Sequence, residues 1–157
     1  MTAGPGRRLR VYLTHSPGAR ANYYPDEALA KLREVADVTL NETNRDLSGR
    51  ELAEAAKGCD AIVSYRSSHA PADLFENAPD LVAFLRCAVD IRDVDLATAS
   101  AQGVLVTRAT PGFVPAVAEL VLGMMVDLAR GIAAATESYH RGEVPAARMG
   151  RQLAGST

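Results

Sequence analysis

The residues most able to do chemistry collect behind short apolar runs. Thr14, His15 and Ser16 follow "LRVYL", and Tyr65, Arg66, Ser67, Ser68 and His69 follow "CDAIVS". Arg86, Cys87, Ala88, Val89 and Asp90 follow "LVAFL", and Thr107 and Arg108 follow "GVLV". In an open parallel sheet, ligands bind beyond the carboxyl ends of the strands. If those runs are parallel strands, the polar residues share one edge. Two or three arginines with hydroxyls and free backbone amides there suit a small anion such as a carboxylate. Each group also has a plainer reading. His15 and His69 lack a local partner that would mark a triad or metal pair, and read as surface loop histidines. Arg66 or Arg86 can be solvated, or paired with Asp90 or Asp93. The stretch "RDVD" (92–95) reads equally well as a helix N-cap. The chain has no phosphate-binding Walker loop, HExxH, CxxC pair, GxSxG elbow or GxGxxG turn.

The elements that must position these groups follow from apolar period. Strand-type runs occur at 9–15, 35–40, 59–65, 81–86 and 103–107. Helix-type segments lie between them. "PDEALAKLREVA" (25–36) puts Ala28, Leu29, Leu32 and Val35 on one face. "SGRELAEAA" (48–56) opens with Ser48 and Glu51 at capping-box spacing. "PADLFENA" (71–78) and "DLATASAQG" (95–103) are shorter, and Gly103 suits a helix stop. Strand and helix alternating in this way predict an α/β fold with a parallel sheet and helices on both faces. The Pro- and Gly-bearing "RATPGF" (108–113) reads as a hinge. "PAVAELVLGMMVDLARGIAAATESYHRGE" (115–143) follows as the longest helical signal, apolar almost all round from Ala116 to Leu128. Such a helix needs cover on more than one side. "RGEVPAARMGRQLAGST" reads as loop.

Composition narrows the class. Of 157 residues, 48% are apolar, Trp is absent and the formal net charge is −2. The core must be built of Ala, Val and Leu. No basic stripe with interleaved aromatics speaks for nucleic acid, and no stretch nears the ~20 apolar residues of a membrane span. The amino terminus lacks a signal-peptide core. Cys59 and Cys87 sit in or beside apolar runs and read as reduced core or core-edge thiols, and two cysteines make no metal site. A soluble cytoplasmic protein is the simplest expectation.

One block is far more specific than periodicity. Residues 79–143 carry "DVDLATASAQGVLVT" and then "AVAEL" with an Ala/Leu/Met-rich helix, and "YRSSH" (65–69) precedes them. This arrangement resembles the D-isomer-specific 2-hydroxyacid dehydrogenases. The resemblance implies a flavodoxin-like substrate domain over 1–107 and the start of a nucleotide-binding domain over 108–157. It implies hydride transfer between a 2-hydroxy or 2-oxo acid and NAD or NADP. The helix at 115–134 corresponds to the family's dimer-forming helix, implying a homodimer. Arg66 and Ser67 match the first substrate loop, and Cys87 to Asp90 the second. Val89 matches a position touching both substrate and nicotinamide. Ala88 and Asp90 replace the usual glycines, and Arg92 stands in the Asp place of "GxDNID". "GRQLAGST" is similar to the segment that runs into the family's GxGxxG turn, so the expectation is a chain that stops before that turn. None of the three histidines matches the family's proton-transferring His, so no catalytic residue is assigned. The chain alone is expected to be inactive. The other reading is a non-catalytic, dimerising flavodoxin-like module, either a pseudoenzyme or a protein-interaction domain.

Overall fold

The computed structural model describes residues 7–155. Two compact units divide it, one running through Thr110 and one beginning at Pro111. The first is an α/β unit in the order β1 (Leu9–Leu13), α1 (Pro17–Tyr23), α2 (Asp26–Val35), β2 (Ala36–Leu40), α3 (Gly49–Ala55), β3 (Ala61–Ser64), α4 (Ala72–Glu76), β4 (Ala83–Arg86), α5 (Leu96–Ala101) and β5 (Leu105–Arg108). All five strands are parallel, in the order β2-β1-β3-β4-β5. This is the flavodoxin-like order, with its chain reversal between β1 and β3. Parallel pairing brings every strand's carboxyl end to one edge.

Two apolar layers sandwich the sheet because alternate side chains of a strand face opposite ways. Tyr12, Ile62 and Phe84 meet Leu52, Leu74, Phe75 and Ala99 from α3, α4 and α5. Val11, Leu13, Ala61 and Val63 meet Leu29 and Leu32 of α2. Phe84 and Phe75 pack edge to face at 5.9 Å. Helices therefore lie on both faces, as the pattern predicts. Val35, expected on the inner face of α2, is exposed, because the helix ends there and the chain turns into β2 at the buried Ala36.

Local details depart from expectation where a stronger partner is at hand. Ser48 precedes α3, but its side chain makes no cap bond. Glu51 pairs with the Arg45 guanidinium instead, where a charge-assisted bond outweighs one to a backbone amide. Asp95 caps α5 through the Thr98 amide at 2.8 Å. Helix α1 is an addition to the expected elements: Ser16 caps it and Pro17 occupies its first turn.

In the second unit, the long helical signal divides at Gly131 into α6 (Val114–Arg130) and α7 (Ile132–His140). Gly131 adopts φ +67°, a left-handed stop that only glycine enters freely. Asp127 then caps the new helix by accepting from the Ala133 amide at 2.6 Å. No residue of α6 is buried. Among the described residues no helix is long and apolar enough to cross a membrane. Cys59 is a buried free thiol, whereas Cys87, expected in or near the core, is exposed because it has left β4 for the edge.

Candidate functional site at the carboxyl edge of the sheet

Strands β3 and β4 are neighbours, so the loops that follow them lie side by side. Arg86, the last residue of β4, joins them. Its side chain is 3% exposed, and its guanidinium is fully engaged. It donates to the carbonyls of Tyr65 (3.1 Å), Ser68 (2.6 Å) and Arg66 (2.6 Å) in the first loop. It reaches the Ser64 hydroxyl at 3.3 Å and the Asp90 carbonyl in the second loop at 3.3 Å. Both oxygens of Asp93 accept from its Nη2, at 2.9 and 2.7 Å. Of the pairings open in the sequence, Arg86 takes Asp93. It is therefore not among the arginines free to meet an anion.

A second tie comes from β1. Thr14 is fully buried, and its hydroxyl accepts from the Tyr65 amide and from the Ser68 hydroxyl, both at 2.8 Å. The residue after it, His15, is 1% exposed, so it is not a surface loop histidine. Its ring packs between Tyr24 (4.9 Å) and Tyr65 (4.8 Å). The aromatic walls come from the residue that follows α1 and from the first loop, which sequence spacing does not reveal. Burial, and secondarily the positive Arg20, lowers its pKa from 6.5 to about 4, so the ring is neutral at pH 7. Its Nδ1 has no partner among the described residues. His69 is exposed, 3.8 Å from Asp93.

Arg66 and Ser67 are exposed on the first loop. The Arg66 guanidinium makes no ion pair or hydrogen bond among the described residues, but lies over the rings of Tyr23 and Tyr65. The Ser67 hydroxyl likewise has no partner among them. On the second loop, Cys87 N bonds to Ser64 O at 2.8 Å and Ala109 N to Ala88 O at 3.1 Å, which fix the turn's backbone. Arg108 approaches the Val89 carbonyl at 3.4 Å. Arg66, Ser67, Ala88, Val89 and Asp90 thus share one edge of the sheet.

Ala88 and Asp90, which stand where the resemblance implies glycines, have a local explanation. No non-glycine residue among those described has positive φ, so Ala88 and Asp90 carry no left-handed strain. The carboxylate of Asp90 is gripped by Arg92. Nε donates to both its oxygens (3.0 and 2.9 Å), Nη2 to one (2.5 Å), and the Arg92 amide to Oδ1 (3.0 Å). Those bonds hold the Asp90 carboxyl far below the usual carboxylate range. The two unusual residues neutralise each other, a compensation that an i, i+2 acid–base pair signals weakly in sequence. Among the described residues no group of His, Cys, Asp or Glu could hold a metal.

A family model described as "D-isomer specific 2-hydroxyacid dehydrogenase, catalytic domain" matches residues 13–152. Among curated relatives, D-3-phosphoglycerate dehydrogenase of Methanocaldococcus jannaschii is 33% identical over 133 residues, covering 84% of this chain and 25% of that protein. Hydroxypyruvate reductase of Thermotoga maritima is 30% identical over 119 residues, covering 75% and 39%. The structure of D-lactate dehydrogenase from Escherichia coli superposes with a TM-score of 0.65 at 20% identity, over 87% of this chain and 42% of that one, and shows the shared fold. The chain spans about a quarter to two fifths of the length of the curated relatives it matches.

The family implies a nicotinamide dinucleotide, whose pyrophosphate needs a glycine-rich strand-to-helix turn. Among the described residues, the strand-to-helix connection with a left-handed glycine is β2 to α3, at Gly49 (φ +55°). A Cβ there would stand 2.7 Å from Asp73 Oδ1. The Asp73 carboxylate crowds that glycine, so the described residues offer no turn of this kind open to a pyrophosphate.

Two measurements check the site's architecture. Arg86→Met strands Asp93 and the loop carbonyls and should cost about 3 kcal/mol in urea unfolding; a loss within about 0.5 kcal/mol, ordinary for a surface change, contradicts the buried clamp. The second concerns His15, whose folded pKa lies below its unfolded one. The unfolded chain takes up the proton first, so stability falls as pH drops from 6.5 and the full cost, on the order of 3 kcal/mol, is reached below about 4. His15→Phe should flatten that slope, and an unchanged slope rules the assignment out. The sheet, the family model and the relatives agree: this chain belongs to the D-isomer-specific 2-hydroxyacid dehydrogenase family.

Proposed function

We propose that the chain supplies the substrate side of an NAD(P)-dependent oxidoreductase acting on the CH–OH group of small 2-hydroxy acids. The observation that carries this reading is the uncommitted Arg66 guanidinium, beside a free Ser67 hydroxyl and one strand from the 87–90 turn. A guanidinium fork and a hydroxyl match the two oxygens of a carboxylate. In this reading Arg66 and Ser67 hold the acid's carboxylate, and Ala88, Val89 and Asp90 wall its other side, with Val89 also meeting the nicotinamide. The alternative of a non-catalytic module rests on the altered turn. The Asp90–Arg92 pairing offsets the added negative charge and weakens that motive. Two free thiols suit a reducing compartment such as the cytoplasm.

Residues 1–157 alone bind the acid but do not turn it over in this reading, because the described residues do not fit the dinucleotide. The test uses the 157-residue chain with oxalate as a planar dicarboxylate probe. Oxalate should shift the Arg66 and Ser67 resonances, Arg66→Gln should lose binding by at least tenfold, and no 2-hydroxy acid should be oxidised with NAD or NADP. Equal binding by Arg66→Gln, or saturable turnover by the chain, defeats the reading.

The same reading makes α6 the seat of a homodimer. Leu120, Leu122, Met124 and Leu128 are 57%, 59%, 55% and 79% exposed, and steps of about 100° spread them around the helix. Each large apolar side chain left in water forgoes ~1.5–3 kcal/mol. A second copy offers the matching apolar face through a two-fold axis. Sedimentation at micromolar concentration should give dimers, with Leu120→Glu plus Met124→Glu giving monomers. A well-folded native monomer there removes the dimer from the proposal.

A further inference from the structure

Arg66 is exposed, yet it is held. Its Cζ lies 5.3 Å from the centroid of the Tyr23 ring and 6.0 Å from that of Tyr65. Those two rings stack on each other at 5.8 Å with an interplanar angle of 29°. Tyr65 in turn rests on the buried His15. The result is a cluster rooted in the core: Tyr65 packs on His15, Tyr23 packs on Tyr65, and the cation lies against both tyrosine rings. Helix α1, which delivers Tyr23, buries none of its own side chains. Core packing therefore does not explain its place. It is pinned by Arg20, whose Nη1 donates to the carbonyls of His15 (2.9 Å) and Asn41 (2.6 Å).

We propose that Tyr23 is a positioning residue for substrate binding, its ring holding the Arg66 guanidinium over the sheet edge with the N–H fork left free. The inference rests on reading Arg66 as the carboxylate-binding group. The physical reason lies in the geometry of the cation. A guanidinium stacks through its face and hydrogen-bonds through its edge, so an aromatic partner orders it without consuming donors. A carboxylate partner would order it too, but would occupy the fork, as Asp93 does with Arg86. Ordering a long side chain beforehand removes part of the entropy cost of binding, equivalent to roughly a 3–10-fold gain in affinity.

The test is again made on the 157-residue chain, by NMR of the Arg66 Nε–Hε group and titration with oxalate. In the native chain, the Hε resonance should carry an upfield ring-current shift. Tyr23→Phe should preserve both that shift and the affinity. Tyr23→Leu should reduce the shift, leaving only the part that Tyr65 supplies, and weaken oxalate binding about 3–10-fold. Arg66→Lys keeps the charge but stacks poorly, so adding Tyr23→Leu to it should cost nothing more; additive losses overturn the proposal. So does a Tyr23→Leu chain with unchanged shift and affinity. If Arg66→Gln still abolishes binding in that case, the carboxylate reading stands and only the positioning role falls. If Arg66→Gln binds oxalate as the native chain does, the carboxylate reading itself is lost.

Discussion

The carboxyl edge of this sheet depends on one buried cation. Arg86 is almost fully removed from water, and a guanidinium so placed must find an acceptor for every N–H. It finds them in the backbone of two separate loops and in Asp93. The desolvation cost of the charge thus becomes a geometric constraint, because the loop carbonyls must converge on the guanidinium or leave it unpaired. Thr14 adds a tie from the next strand. Residues 65–68 and 86–90 take their shape from these contacts rather than from turn propensity.

That constraint divides the arginines by task. Arg86 spends its fork on structure, Arg92 spends its own on Asp90, and Arg66 lies against two tyrosine rings with no acceptor among the described residues. The distinction turns on which part of the guanidinium a partner uses. Carboxylate partners take up both the charge and the donors, and an aromatic ring leaves both in place. The negative charge of Asp90 does not stand alone at the edge, because Arg92 pairs with it.

The second unit obeys a different constraint. Apolar side chains surround α6, and a glycine in left-handed conformation ends it before α7 begins. The pattern of apolar residues foretold a helix but overran its end. Gly131 inside a helical period reads as a tolerated interruption, and its stop role rests on Asp127 being in reach of the Ala133 amide. Capping at Ser48 failed for the converse reason: Arg45, two loop residues away from the predicted box, offered Glu51 a charged partner.

Sequence alone determined the strand positions, their parallel pairing, the edge where polar residues gather and the family. Those properties follow from local periodicity and from motifs whose residues are contiguous. It could not determine which arginine is buried, or that His15 is a neutral ring walled by two tyrosines. Tertiary structure decided these, because burial and pairing depend on residues brought together from far apart in the chain. Tyr65 and His15 are 50 positions apart, and Arg86 gathers acceptors from 64 to 93. A side chain's charge state and freedom are set by those neighbours, and no local spacing encodes them.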